Sequence, residues 1–161
     1  MTKIEEIKAN NPYMQIAIQE ALNGILKGHG GPFGSVIVKD NKIIAKGHNM
    51  VLKNNDSTAH GEIITIRKAE KKIHSHDLKG AILYTTGEPC PMCLAACLWA
   101  NIEKIYYGCT IADNAEIGFR DELFYDKFGG MNGFTGYLEE MDREACLQLF
   151  KKYKSLNATK Y

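Results

Sequence analysis

Apolar and polar positions alternate along the chain in two periods, one helical and one extended. Asn11-Pro12 suits a helix start, with Asn as N-cap and Pro at the first helical position. Met14, Ala17, Ile18, Ala21, Leu22, Ile25 and Leu26 then recur at spacings of three and four, which predicts one buried helix face. Gly28-His29-Gly30-Gly31-Pro32 ends that helix. Ser35–Val38 and Lys42–Ala45 flank Asp40-Asn41 and predict a hairpin. A polar loop is expected over residues 49–57, and a second helix over Ala59–Ile73 with Ile63, Ile66 and Ala69 inward. Ala81–Tyr84 reads as a buried strand, Pro91–Trp99 as a third helix and Lys104–Tyr107 as another strand. Gly129–Gly133 is expected to be a loop, and Asp142–Lys154 has helical spacing at Ala145, Leu149 and Tyr153. Strands alternating with helices after an opening hairpin predict a mixed sheet covered on both faces, a three-layer α/β/α sandwich.

Composition narrows the class. With 161 residues the chain is one domain's worth of sequence, 45% hydrophobic and 24% charged, which excludes disorder as the main state. A net charge of +1 argues against a strongly cationic nucleic-acid binder or a polybasic membrane binder. Leu94–Ala100 is a short apolar stretch, whereas a membrane span needs about twenty residues. The start, MTKIEEIKANN, has no apolar segment of the kind a secretory signal carries. Cys90, Cys93, Cys97, Cys109 and Cys146 are odd in number and unevenly spaced, so reduced thiols in a cytoplasmic protein are expected rather than a disulfide framework.

Three of the five need no chemistry: Cys97, Cys109 and Cys146 read as small core residues, although Cys97 follows Cys93 by one turn. His29, His74 and His76 read as solvated, and His48 ends the hairpin near the candidate site. The informative pieces are Thr58-Ala59-His60-Gly61-Glu62 and Pro89-Cys90-Pro91-Met92-Cys93. Cys-x-x-Cys brings two sulfurs within reach of one ion, and Pro91 at a first helical position puts both at a helix N-terminus, which stabilises thiolates. Alone, the pair is equally open to redox chemistry, half a structural zinc site or two core thiols. His60, at another helix start, supplies a third ligand and leaves one position of tetrahedral zinc open, as catalysis needs. Glu62, otherwise an ordinary helix carboxylate, can then take a proton from water activated by the ion. His-x-Glu with Pro-Cys-x-x-Cys is the signature of zinc deaminases.

On these residues the chain resembles the cytidine deaminase-like superfamily, and within it the bacterial guanine deaminases. The resemblance runs from about Gly30 to Asp126 through GGPFGSVIVKD, NNDSTAH, IRKA, TTGEPCPMCLAACLWA and DNAEIGFRDELFYD. It implies a central sheet of about five strands and one Zn2+ per subunit held by His60, Cys90 and Cys93, with Glu62 shuttling protons. It implies a purine pocket that includes Asn49, Gly61, Phe33, Trp99 and Asp121. Asn49 would offer its carboxamide to a purine edge, and Asp121 would accept from a ring N–H that guanine has and adenine lacks. It further implies a homodimer in which the tail from about residue 129 crosses between subunits, bringing Tyr161 over the partner's site. The implied reaction is hydrolysis of guanine to xanthine and ammonia, by attack of water at C2.

Gly61 stands where guanine deaminases and transfer-RNA adenosine deaminases usually carry alanine, and His-Gly-Glu also occurs in fungal-type cytosine deaminases. Three other readings therefore stay open: a transfer-RNA adenosine deaminase, a deaminase of cytosine or another small aminated heterocycle, and a zinc-stabilised binding module. The first needs clustered cations for phosphate. Here Lys151, Lys152 and Lys154 follow Glu139, Glu140, Asp142 and Glu144. The last has no use for Glu62.

Overall fold

A computed structural model describes residues 6–129 and 136–158. Helix α1 (Pro12–Leu26) leads into the hairpin β1 (Gly34–Lys39) and β2 (Lys42–His48). There follow α2 (Val51–Asn54), α3 (Gly61–Ile73), β3 (Ile82–Gly87), α4 (Pro91–Trp99) and β4 (Lys104–Cys109). The remainder is α5 (Ile111–Glu116), α6 (Asp121–Lys127), β5 (Leu138–Glu140) and α7 (Arg143–Ser155). The five strands form one sheet in the order β2-β1-β3-β4-β5. β1 is antiparallel to both β2 and β3, whereas β3, β4 and β5 run parallel, so the sheet is mixed as expected.

Local chemistry accounts for the ends of these elements. Asn11 Oδ1 accepts from the backbone N–H groups of Tyr13 and Met14 at 2.9 and 3.0 Å, which caps α1. Asp40 and Asn41 have φ of 51° and 58°, the left-handed pair that a tight two-residue hairpin turn requires. Thr110 and Asp113 form a reciprocal capping box at the start of α5.

Alternation along the central strands sorts side chains into two cores. Val36, Val38 and Tyr84 face α1 and α7, meeting Met14, Ile18, Leu149 and Tyr153. Ile37, Leu83 and Ile105 face the other way, onto Ile66 and Ala69 of α3 and Leu94 and Cys97 of α4. This is the predicted three-layer sandwich.

Several boundaries differ from the sequence pattern. The expected loop over 49–57 contains the single turn α2, opened by Val51 N–H donating to Asn49 Oδ1 at 3.0 Å and closed by left-handed Asn55. Ala81 lies just outside β3, which continues through Gly87, and β4 continues through Cys109. The Gly129–Gly133 loop lies outside the described residues from 130 onward. Among the described residues, no helix is long and apolar enough to cross a membrane.

Candidate metal centre and active-site cavity

Parallel β3 and β4 end side by side, and antiparallel β1 begins at that same edge. α3 and α4 both start there, so two helix N-termini converge on one point. His60 occupies the N-cap of α3; Cys90 is the N-cap of α4 and Cys93 lies in its first turn. His60 Nδ1 is 3.6 Å from Cys90 Sγ and 3.5 Å from Cys93 Sγ. Bonds of about 2.3 Å to sulfur and about 2.0 Å to nitrogen at a tetrahedral angle span about 3.5 Å, which matches both nitrogen–sulfur distances. Among the described residues it is the one group of three His, Cys, Asp or Glu side chains arranged to hold an ion. Cys97 is buried in the core next to it and does not join the set. Cys109 and Cys146 are likewise buried, and all five thiols are free.

The charges are arranged for a cation. The Cys93 thiol, the His60 imidazole and the Cys93 backbone N–H hold Cys90 as a thiolate, with its pKa brought down to about 4 against the effect of burial. Burial, together with donation to Cys90, raises the Cys93 thiol well above its usual range. Burial opposes charging of His60, but the Cys90 thiolate outweighs it and lifts the imidazole to about 8. Glu62 is 5% exposed, and desolvation followed by the Cys90 charge raises its carboxyl to about 7. A second protein group stands close to it, Thr85 Oγ1 at 3.5 Å from Glu62 Oε1.

A cavity of about 890 Å³ opens over this centre. Its polar floor includes Asn49, His60, Glu62, Glu88, Cys90 and Asp121, and its walls include Phe33, Phe119, Met92, Leu98, Phe124 and Phe128. Asn49 is 1% exposed; its N–H donates to Phe33 O at 2.9 Å, and its Oδ1 is committed to Val51 N. The amide nitrogen is therefore what Asn49 has left to offer a ligand. Gly30 makes this placement feasible, because a Cβ there would fall 2.1 Å from Asn49 Oδ1. Gly61 lies behind the same pair: a Cβ on it would meet Phe33 O at 3.0 Å and Asn49 N at 3.5 Å. Burial and the Cys90 charge raise Asp121 to about 6.

The structure thus brings together His60, Cys90, Cys93, Glu62, Asn49, Phe33 and Asp121, with Gly61 in support. Trp99 is a correction. It is 84% exposed and does not line the cavity. On α4 the residues that reach the cavity are Pro91, Met92, Leu94, Ala95 and Leu98, and Trp99 follows Leu98 by one residue, about 100° around the helix. Tyr161 lies outside the described residues. His48 is also displaced from the expected place: its Nδ1 pairs with Glu20 at 2.8 Å and its Nε2 with His29 Nδ1 at 2.9 Å, outside the cavity lining. His29, expected to be solvated, is half-buried in that contact, whereas His74 and His76 are exposed. Sequence reasoning missed Glu88 and the apolar wall from α6, which carry no periodic signal; only the adjacency of Glu88 to Pro89-Cys90 marked it.

Residues 7–109 match the family model for the cytidine and deoxycytidylate deaminase zinc-binding region. The chain belongs to this deaminase family. Its curated relatives include guanine deaminase of Bacillus subtilis, 48% identical over 70% of this chain and 72% of that protein. The tRNA-specific adenosine deaminase of Bacillus subtilis is 42% identical over 60% of this chain and 59% of its own length. Among solved structures, the X-ray structure of Bacillus subtilis guanine deaminase superposes with a TM-score of 0.70 at 45% identity, covering 74% of this chain and 76% of that one. As in other members of this zinc-binding deaminase family, the metal is zinc, and His60, Cys90 and Cys93 are the donors that fit it.

Proposed function

We propose that this deaminase hydrolyses a free purine base, converting guanine to xanthine and ammonia. The observation that carries the reading is the placement of two acid-base carboxyls, Glu62 and Asp121, in one cavity beside a three-donor zinc site. It is supported by the relative named guanine deaminase, which is alike over most of both chains.

Zinc bound at His60, Cys90 and Cys93 supplies the Lewis acidity that makes water nucleophilic near neutral pH. Glu62 takes the proton of the attacking water and passes it to a ring nitrogen next to C2. It then takes the proton of the new C2 hydroxyl and gives it to the amine, which leaves as ammonia as the C2–N bond breaks and the C2 carbonyl forms. Burial, which holds the Glu62 carboxyl above the usual carboxylate range, suits both directions of transfer. Asp121 accepts from N1–H of the base, and Asn49 donates from its amide nitrogen to an acceptor on the purine edge. Phe33 and Phe119, packed edge to face at 4.9 Å between centroids, give the base an apolar wall.

A transfer-RNA substrate is the second reading, favoured by the adenosine deaminase relatives. Against it, Arg120 is the one Lys or Arg among the described residues lining the cavity. We further propose a cytoplasmic homodimer whose C-terminal segment, Tyr161 included, closes the partner's cavity. Trp99 of α4, Leu123 and Phe124 of α6, and Phe128 just past the end of α6 are exposed at 84%, 59%, 39% and 74%, and both helices contribute residues to the cavity wall.

The test is ammonia release from guanine, adenine, cytosine, their nucleosides and a transfer RNA, with wild type and Glu62→Gln. Guanine should be the preferred substrate, and Glu62→Gln should lower kcat/KM by about a hundredfold to ten-thousandfold with zinc retained. Turnover of RNA alone would replace the proposed substrate, and an active Glu62→Gln enzyme would remove the assigned proton carrier.

A further inference from the structure

Asn114, on α5, is fully buried and does not line the cavity. Its amide nitrogen donates to two oxygens, Glu88 O and Asp121 Oδ2, each at 3.2 Å. The first belongs to the Glu88-Pro89-Cys90 segment that delivers a metal donor, and the second to the carboxylate at the start of α6. The orientation of the amide is determined. Turned over, its oxygen would face a carbonyl and a carboxylate oxygen and lose both bonds. The amide oxygen has no hydrogen-bond partner among the described residues. A buried, unpartnered acceptor is unfavourable, so the side chain is held there by what its nitrogen does.

The space it occupies is provided by Gly87, the last residue of β3. A Cβ at Gly87 would lie 3.0 Å from both Asn114 Oδ1 and Phe33 Cε1. A side chain at 87 would crowd both the amide and the Phe33 ring, and each would have to give by a few tenths of an ångström. Gly87 and Asn114 therefore work as a matched pair.

We infer that Asn114 is a positioning residue for base selection: seated against Gly87, it fixes the Asp121 carboxylate in the orientation that receives the N1–H of the base. The inference rests on the proposed purine pocket. Donation by Asn114 also favours the ionised form of Asp121 against burial, and only that form is purely an acceptor.

The experiment measures equilibrium binding of two probes that lack the 2-amino group to the zinc-loaded protein. Hypoxanthine carries N1–H but no amine to lose; adenine lacks N1–H. Asn114→Ala should weaken hypoxanthine about tenfold, the scale of a charge-assisted hydrogen bond, and leave adenine within twofold. Asp121→Ala should do the same, and the double variant should lose no more than Asp121→Ala alone. Equal weakening of both probes by Asn114→Ala, an additive double variant, or no change in Asn114→Ala while Asp121→Ala loses hypoxanthine selectivity would each overturn the role of Asn114. If Asp121→Ala keeps that selectivity, the base pocket itself is misassigned, and the inference fails with it. Asn114→Leu, which keeps the branched shape of the side chain without the donor and leaves Gly87 and Phe33 untouched, gives the same readout if Asn114→Ala is too unstable to purify. Zinc content and thermal melting accompany every variant.

Discussion

Gly30→Ala tests the link between one backbone position and the base pocket. The added Cβ would sit 2.1 Å from Asn49 Oδ1, 2.9 Å from its Cγ and 3.0 Å from its backbone oxygen. Contacts below 3.0 Å are not tolerated by real Cβ atoms, so the carboxamide must retreat by about 1 Å. It has little room to do so, because Asn49 is 1% exposed and its oxygen holds Val51 N at 3.0 Å. Losing that bond costs about 1 kcal/mol, and overpacking adds about 1–3 kcal/mol, so stability should fall by about 2–4 kcal/mol. A displacement of about 1 Å in a positioning group lowers turnover by about a hundredfold. Gly28→Ala is the control from the same loop. Nothing lies within 4 Å of its Cβ, and its φ of +68° limits the effect to about 1–2 kcal/mol of backbone strain. The assays are kcat/KM for guanine and thermal melting at matched zinc content. Gly28→Ala should melt slightly lower and keep its kcat/KM. If Gly30→Ala stays within threefold of wild type, Asn49 does not position the substrate as argued.

Three further outcomes follow from the same geometry. Arg143 pairs with both oxygens of buried Asp113 at 2.7 and 2.8 Å, tying α7 to α5, so Arg143→Met should lower the denaturation midpoint at neutral pH in denaturant titrations. The pair lowers the Asp113 pKa below 3.8, so its contribution is full above that value and is lost as pH falls through the lower folded value; the variant and wild type should converge there. Removing zinc with a chelator should leave far-UV circular dichroism intact, because two apolar cores hold the sheet, but should lower Tm; an excess of a hundred times Kd restores about 2.7 kcal/mol, and global unfolding on chelation would contradict this. Trp99 is the single tryptophan and 84% exposed, so its emission should shift to the blue as concentration rises if α4 lies in a dimer interface; an emission maximum independent of concentration, with a monomer mass by sedimentation, would remove the dimer.

The zinc donors, Glu62 and the layer architecture are all legible in the sequence because their signals are local. Cys-x-x-Cys and His-x-Glu each fit within one helix start, and helical or strand periodicity needs only a dozen neighbouring residues. What the tertiary structure alone decides involves residues that share no local pattern. α5 and α6 have six and seven residues and β5 has three, too short for periodicity, yet they deliver Asn114, the cavity wall at Phe124 and the parallel edge of the sheet. Trp99 shows the limit in the other direction: the family resemblance implies a pocket aromatic, but the phase of α4 turns it outward and gives the place to Leu98. The chain of Glu20, His48 and His29 joins a helix, a strand end and a glycine-rich loop, and the hairpin between them sets the distances. Sequence determines which chemistry the chain carries, because ligand type and spacing are covalent properties. Which side chains share a cavity with it depends on sheet order and helix rotation, and those are fixed only when both faces of the sheet are packed.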